Sequence, residues 1–529
     1  MPLFTTKERR FAEGIADLMY CNPFLPERIE YERQVLEAEF EQRDADWNVT
    51  PGLELHPNVR LVVQRTQQTL DAARRRQIDG TTFGEQDARR YEEMLMLVQY
   101  YRFREDFNKL LQEKPEPDQR TGRGQSAKRM YRQFATTVRD YAIDDVFDAG
   151  DPSLAHWFAG FFQVRRAFTN IFDYIIGVSP SAVQLRAAVW QSIFTHDMRR
   201  YRRVLYRRMG DQTTLITGPS GTGKELIARA VGMSQYVPFD PSAATFGENG
   251  QSCFVALHLA AMSPTLIESE LFGHHRGAFT GAVADRAGWL ESCPPTGTVF
   301  LDELGELDPQ LQVKLLRVIQ QRTFHRVGET QDRRFEGKLI AATNRELSEL
   351  IRDGQFRLDL YYRICSDIVR APSLHERIRQ DDRELDVLLT TLAARIVGDE
   401  DEALAGEVRQ WIDQHLEADY DWPGNVRELE QCLRNVMIRR CYQPLTGRGR
   451  AGLSQRGRQE RTGENELERL AAELDQISLT ADQLLNLYCT LTYRRLGSYQ
   501  QAAQALGLDR RTLRARVDPD LLNKNGVRS

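Results

Sequence analysis

The run Gly218-Pro219-Ser220-Gly221-Thr222-Gly223-Lys224 constrains this chain more than any other stretch. It follows the short apolar, β-branched run Thr213 to Thr217 and opens into a helical run, Glu225 to Val231. A strand, a glycine-rich turn closing on Gly-Lys, and a helix are the parts of a phosphate-binding loop. The glycines let successive backbone N–H groups turn inward around phosphate oxygens, and the helix N-terminus adds a favourable dipole. Lys224 then reaches the outer phosphates as a point charge. The general pattern places Ser or Thr after the lysine to hold magnesium. Glu225 stands there instead, so a metal must lean on carboxylates elsewhere or on waters. The reading is nucleotide binding, with an ordinary loop as the alternative.

The second landmark is Thr298-Val299-Phe300-Leu301-Asp302-Glu303, an apolar strand ending in two carboxylates. Asp302 is placed to orient magnesium and its waters. Glu303 is placed to accept a proton from the water that attacks the terminal phosphate. A third strand, Leu339 to Ala342, delivers Thr343 and Asn344, a polar pair suited to sensing phosphate or positioning water. Strands alternating with helices predict a parallel sheet covered on both faces, with nucleotide at the C-terminal edge of the strands.

Between and beyond these landmarks stand further motifs. Glu268 to Ala282 contains Gly277-Ala278-Phe279-Thr280-Gly281-Ala282. Then come Asp302-Glu303-Leu304-Gly305-Glu306-Leu307, Val313 to Gln320 and Arg326-Val327-Gly328. Ala341 to Arg345, Phe356 to Arg363 and Trp422 to Leu429 complete the order. Together they resemble the AAA+ domain of the sigma-54-dependent bacterial enhancer-binding proteins, over roughly 175–440 and a short C-terminal piece. The resemblance implies ATP with Mg2+ between the subunits of a ring, usually a hexamer. Arg357 and Arg363 match the arginines that reach a neighbour's γ-phosphate, and Arg427 matches the sensor arginine of the helical lid. Such a finger typically contributes ~10³–10⁵ in rate. A surface ion pair of Arg357 or Arg363 with Asp359 or Glu346 is the other reading. Glu after the loop lysine is also usual in this family.

The resemblance makes residues 277–282 the loop that grips the sigma-54 factor of RNA polymerase. Gly277 and Gly281 permit a tight, mobile tip, and Phe279 and Thr280 put an exposed aromatic and a hydroxyl on it. His274 and His275 beside it have no apparent third metal ligand and read as loop residues. One departure is His258, where the family usually has an Asn that restrains the catalytic glutamate. His258 is expected to hydrogen-bond Glu303, with a charge that varies with pH. The other departure is added length, in the basic-aromatic stretch Arg199–Arg208 and in the loop Pro238–Ser252. The first reads as a helix with a solvated charged face, nucleic-acid binding being the alternative.

The chain has 529 residues, 28% charged and 41% hydrophobic, enough for several domains. No run approaches a membrane span and no secretory signal opens the sequence. Seven scattered cysteines without a CxxC pair suit a reducing cytoplasm. The expected organisation is multidomain: a helical N-terminal regulatory domain (1–172), an AAA+ α/β subdomain (173–371), its helical lid (372–440), a basic flexible linker (441–464) and an all-α C-terminal domain (465–529). The aromatic cluster between His156 and Phe172 reads as bundle core, a ligand pocket being the alternative.

Residues 498–517 read as helix–turn–helix, with Gly507 turning the chain and Asp509 capping the second helix. They are similar to the Fis-type module of these activators. Arg510, Arg511, Thr512, Arg514 and Arg516 on that helix suit phosphates and guanine edges of double-stranded DNA. A short helical hairpin packed on the lid is the alternative. The chain thus reads as a cytoplasmic activator binding upstream DNA. It would spend ATP on remodelling the sigma-54 RNA polymerase holoenzyme, with its N-terminal domain answering an unidentified effector. A DNA-bound repressor or scaffold, and a remodeller of another protein partner, are the competing readings.

Overall fold

Thr5 starts the first helix: its hydroxyl accepts the Glu8 N–H, and the Glu8 carboxylate takes the Thr5 N–H at 2.7 Å. That reciprocal cap satisfies two donors the helix cannot use internally. In the computed structural model, residues 2–42, 56–81, 84–113, 122–142, 150–247, 253–398, 403–444 and 481–517 are described. They form two units, Met1–Gly449 and Arg450–Ser529.

The first unit opens with helices only, among the described residues: α1 (Thr6–Tyr20), α2 (Glu27–Leu36), α3 (Pro57–Ile78), α4 (Glu85–Gln112), α5 (Gly122–Asp140) and α6 (Asp151–Tyr174). The expected boundary at 172 falls within the last turn of α6. Tyr91, Phe103, Phe107, Phe134, Phe158 and Phe162 are fully buried between these helices, so part of the aromatic cluster is bundle core.

Next come α7 (Pro180–Phe194), α8 (Met198–Arg203), β1 (Thr214–Thr217), α9 (Lys224–Gly232), the hairpin β2 (Phe239–Asp240) and β3 (Thr245–Phe246), and β4 (Phe254–His258). They are followed by α10 (Pro264–Phe272), the hairpin β5 (Gly273–His274) and β6 (Arg286–Ala287), α11 (Trp289–Ser292), β7 (Thr298–Asp302) and α12 (Pro309–Gln321). The hairpin β8 (Thr323–Phe324) and β9 (Arg333–Arg334), then β10 (Lys338–Thr343), α13 (Leu347–Arg352), α14 (Leu358–Ile364) and β11 (Asp367–Arg370) close the α/β part. Five strands make one parallel sheet in the order β11-β1-β10-β7-β4. Its central strands are apolar without alternation because both faces are covered: Val299 to Leu301 and Leu339 to Ala342 are at most 1% exposed. The lid is α15 (Leu374–Gln380), α16 (Arg383–Val397), α17 (Ala403–His415) and α18 (Asn425–Arg439).

Both added segments bind the N-terminal helices. The stretch expected to be a basic helix is α-helical only to Arg203. Its charged face is not simply solvated, because α4 presents carboxylates to it: Arg199 meets Glu93 at 2.8 Å and Arg202 meets Glu92 at 2.7 Å. The hairpin β2–β3 buries Phe239 and Phe246 in the helical core, 4.8 Å from Phe158 and 4.1 Å from Phe162 between ring centres. Residues 248–252 of that loop lie outside the described residues. On another face of α6, Asn170 donates to the Met233 carbonyl at 3.1 Å, just past the end of α9.

In the second unit, α19 (Ala481–Leu496), α20 (Tyr499–Leu506) and α21 (Arg510–Arg516) pack around Cys489, Ala502, Ala503 and Leu513. Gly507 turns the chain at φ 64°, and Asp509 accepts the N–H groups of Arg511 and Thr512 at 2.9 Å, the expected cap. Most of the basic linker expected at 441–464 lies outside the described residues.

Candidate active site

The phosphate loop joins the C-terminal end of β1 to the first turn of α9, and at two of its glycines a Cβ would strike a neighbouring carbonyl. Gly218 (φ 147°) lies where a Cβ would come 2.5 Å from the Ala371 carbonyl oxygen. Gly221 (φ 78°) lies where a Cβ would come 2.2 Å from the Gly424 carbonyl oxygen. The loop is therefore pressed between the strand-end segment after β11 and the start of the lid helix. Lys224 donates to the Gly218 and Pro219 carbonyls, both at 3.0 Å, and Thr222 donates to Pro219 at 2.9 Å. Burial pushes the Lys224 ammonium below the ordinary lysine range, while Glu303 and Asp302 oppose that and Arg427 adds to it. Lys224 thus stands in the field of both carboxylates at the end of β7. Pro219, Ser220 and Gly223 complete the loop, Gly223 capping α9 at φ 86°.

Strand register explains what reaches the site. Thr217 is paired with Thr343, and His258 with Asp302. The imidazole Nδ1 of His258 accordingly meets Asp302 Oδ2 at 3.0 Å. The expected partner was Glu303; the register places the aspartate beside it instead. Glu303 adopts φ 58°, ψ 48°, a left-handed conformation that costs a non-glycine residue ~1–3 kcal/mol. Its N–H donates to Asp302 Oδ1 at 3.0 Å. Thr343 is buried, its hydroxyl accepting the Arg345 N–H at 3.1 Å, and Asn344 is exposed at the strand end.

A magnesium ion fits these donors in part. Glu225 is turned to Arg229 at 2.8 Å, leaving Asp302 as the nearby strand-end carboxylate. Each Asp302 oxygen makes one contact, and a carboxylate offers about four lone-pair sites. That suits a hard cation that keeps waters and phosphate oxygens as its other ligands.

The lid closes the site through a residue whose role the sequence did not disclose. Asn425, 3% exposed and at φ 53°, donates to the Ser220 carbonyl at 2.9 Å and accepts the Leu374 N–H at 2.8 Å. The Val426 N–H reaches the Gly221 carbonyl at 3.1 Å. An Asn directly after Pro423-Gly424 at a helix start was the available signal, since Asn tolerates the left-handed region. Arg427 is exposed on the first turn of α18 and stands against Gly221. Arg357 and Arg363 are exposed on the segment carrying α14; within one chain Arg357 pairs with Asp359 at 2.7 Å.

Residues 277–282 form the tip of the β5–β6 hairpin. Gly277 N–H donates to the Ala282 carbonyl at 2.9 Å and Ala282 N–H to Phe279 at 3.0 Å. A Cβ at Gly277 or Gly281 would meet nothing within 4 Å. Thr280 and Gly281 are exposed, and Ala278 is half-buried with its methyl against Gly328. Phe279, expected to be exposed, is half-buried with its ring edge-on to His274 at 5.0 Å. His274 bonds Ser269 at 2.7 Å, and His275 meets Asp285 at 2.9 Å.

In the second unit Arg510, Arg511 and Arg514 are exposed. Arg516 instead turns to Asp482 at 3.1 Å on α19, and the Thr512 hydroxyl donates to Asp509.

Residues 192–369 match the Sigma-54 interaction domain family. The chain is similar to the Nif-specific regulatory protein of Azotobacter vinelandii, 38% identical over 310 residues, 58% of this chain and 54% of that protein. It is also similar to the transcriptional regulatory protein ZraR of Escherichia coli K12, 41% identical over 228 residues, 43% of this chain and 47% of that protein. The chain thus spans about half the length of these curated relatives. Among solved structures NtrX from Brucella abortus is similar at 22% identity, over 76% of this chain and 86% of that one, with a TM-score of 0.40. The sigma-54 interaction domain is an AAA+ ATPase domain, and this chain carries one over residues 192–369.

Proposed function

We propose that this protein hydrolyses ATP in a ring of its own copies and uses the cycle to remodel sigma-54 RNA polymerase at promoters, in the cytoplasm. The observation that carries the reading is the joint placement of Lys224, Asp302 and Glu303 at one sheet edge. Lys224 binds phosphate, Asp302 holds magnesium, and Glu303 takes the proton of the attacking water. Magnesium, when bound, neutralises charge on the phosphate oxygens. Arg357 and Arg363, exposed in a single chain, serve a neighbour's nucleotide, which makes hydrolysis depend on assembly. Residues 277–282 contact sigma-54, and Arg510, Arg511 and Arg514 hold double-stranded upstream DNA. The N-terminal helices gate the cycle.

ATP turnover against protein concentration tests this. Specific activity that rises with concentration and is lost in Arg357→Ala and Arg363→Ala supports a ring. Concentration-independent turnover, or none with magnesium present, refutes it.

A further inference from the structure

Where α1, α2, α4 and α6 meet α7 and α8, they line a half-open cavity of 420 Å³. That is the size of a small-molecule site. Three observations mark it as built to be filled. Gly160, in the middle of α6, lines it, and a Cβ there would meet nothing within 4 Å. A mid-helix glycine weakens its helix, so α6 gives up stability at the one turn where a side chain would fill the space. Three lining side chains, Tyr20, Trp190 and Arg202, each leave a buried polar atom, Oη, Nε1 and Nε, without a hydrogen-bond partner. Buried polar groups are otherwise almost always satisfied. Finally, Arg28, Arg104 and Arg202 on the wall pair directly with Glu32, Glu105 and Glu92, whereas buried Arg165 donates to neutral Asn108 and meets Glu105 only through its field. Aromatic rings form much of the rest, Phe168 lying 4.8 Å from Trp190.

We propose that this cavity binds a small, planar, mostly apolar molecule carrying a hydrogen-bond acceptor, best as a carboxylate. The rings of Phe168 and Trp190, already packed on each other, wall one side of its plane, and its acceptor supplies the missing partner. The same helix α6 reaches the nucleotide machinery. Gln163, which also lines the cavity, donates to the Ser234 carbonyl at 3.0 Å, and Asn170 donates to the Ser234 hydroxyl at 3.0 Å. Ser234 follows α9, whose first residue is Lys224. Filling the cavity therefore biases the helix that begins in the phosphate loop, and nucleotide must bias the cavity in return. This coupling rests on the ATPase reading above; binding does not.

The test is calorimetric titration of the full chain with 1-naphthoate, a two-ring carboxylate, alongside ATP turnover. Wild type is expected to bind one molecule per chain and to change turnover several-fold on saturation. Gly160→Ala is expected to bind as wild type and to melt higher. Gly160→Phe, filling the space, is expected to bind at least about tenfold more weakly and to be unresponsive. Should Gly160→Phe not fold, Trp190→Phe, which keeps a ring and removes the N–H, is expected to lower affinity. No saturable heat in wild type, or equal affinity in Gly160→Phe or in Trp190→Phe, overturns the site. Binding that leaves the turnover of an active chain unchanged overturns the coupling. A chain that binds naphthoate yet never hydrolyses ATP refutes the proposed function and leaves the site standing.

Discussion

The side-chain amide of Asn425 donates to the carbonyl of Ser220 at 2.9 Å, tying the lid helix α18 to the phosphate loop. Its oxygen accepts from Leu374, so one residue joins both ends of the lid to the nucleotide site. Asn425→Ala leaves the buried Leu374 N–H unpaired, at ~1–3 kcal/mol, frees the exposed Ser220 carbonyl to water, and keeps a left-handed residue that alanine tolerates poorly. A lower melting temperature and a KM for ATP raised about tenfold are expected. Asn425→Gly relieves the backbone and not the bonds, so it should recover stability more than KM. Steady-state kinetics with thermal melts check this.

Glu303→Ala should bind ATP as wild type and lose turnover by ~10²–10⁴, the usual share of a general base. Its left-handed backbone makes Glu303→Gly the useful companion: equally inactive, but folded with less strain. Equilibrium binding of a labelled nucleotide separates binding from turnover. Retained hydrolysis would remove Glu303 as the base.

Thr280→Ala should keep ATP turnover and abolish sigma-54-dependent transcription, because Thr280 is exposed at the tip and touches nothing in the nucleotide site. Phe279→Ala has a second expected effect. It removes the ring packed on His274, so the hairpin tip should gain hydrogen-exchange rate as well as lose activation. Transcription from a sigma-54 promoter, run beside the ATPase assay, reads both variants.

Lys338 gives a pH signature. Burial pushes its ammonium down to about 8, against partial support from Asp367, while its Nζ donates to the Gln212 carbonyl at 2.8 Å. Between about 8 and the ordinary lysine value of 10.5 the unfolded chain holds a proton that the folded chain has released. Stability from this group therefore rises with pH across that window and is flat below it. Lys338→Met should be more stable than wild type at neutral pH, by ~1–3 kcal/mol before the cost of the freed carbonyls. The advantage should shrink towards pH 10. Denaturant titrations at several pH values measure it.

Phe246→Ala should cost ~3–5 kcal/mol, the range for deleting a buried aromatic ring. The loss should appear in both the N-terminal helices and the ATPase part, as protection from hydrogen exchange falling on α6 and on β3 together.

The placement of the candidate nucleotide site at one sheet edge was legible because its parts are local: a glycine-rich turn, a strand ending in two acids, and motifs whose spacing survives translation into a sheet. Asp509 capping α21 was legible for the same reason. His258 was placed on the wrong carboxylate because strand register, not sequence distance, decides which side chains meet. Phe279 looked exposed because a glycine-flanked loop hides the histidine its ring leans on. The Arg199–Arg208 stretch looked solvated because Glu92 and Glu93, its partners, stand a hundred residues earlier on α4. The hairpin from Phe239 to Phe246 carried no motif, so its destination could not be read before the fold was known.

That hairpin changes what can be exchanged between such proteins. Because the ATPase part lends two phenylalanines to the N-terminal core, a helical domain grafted in at residue 172 would arrive without the rings that close its core, and the donor would keep two rings with nowhere to go. The heritable unit here is the helices together with the loop after α9, so recombination that splits them yields misfolded halves rather than a new specificity.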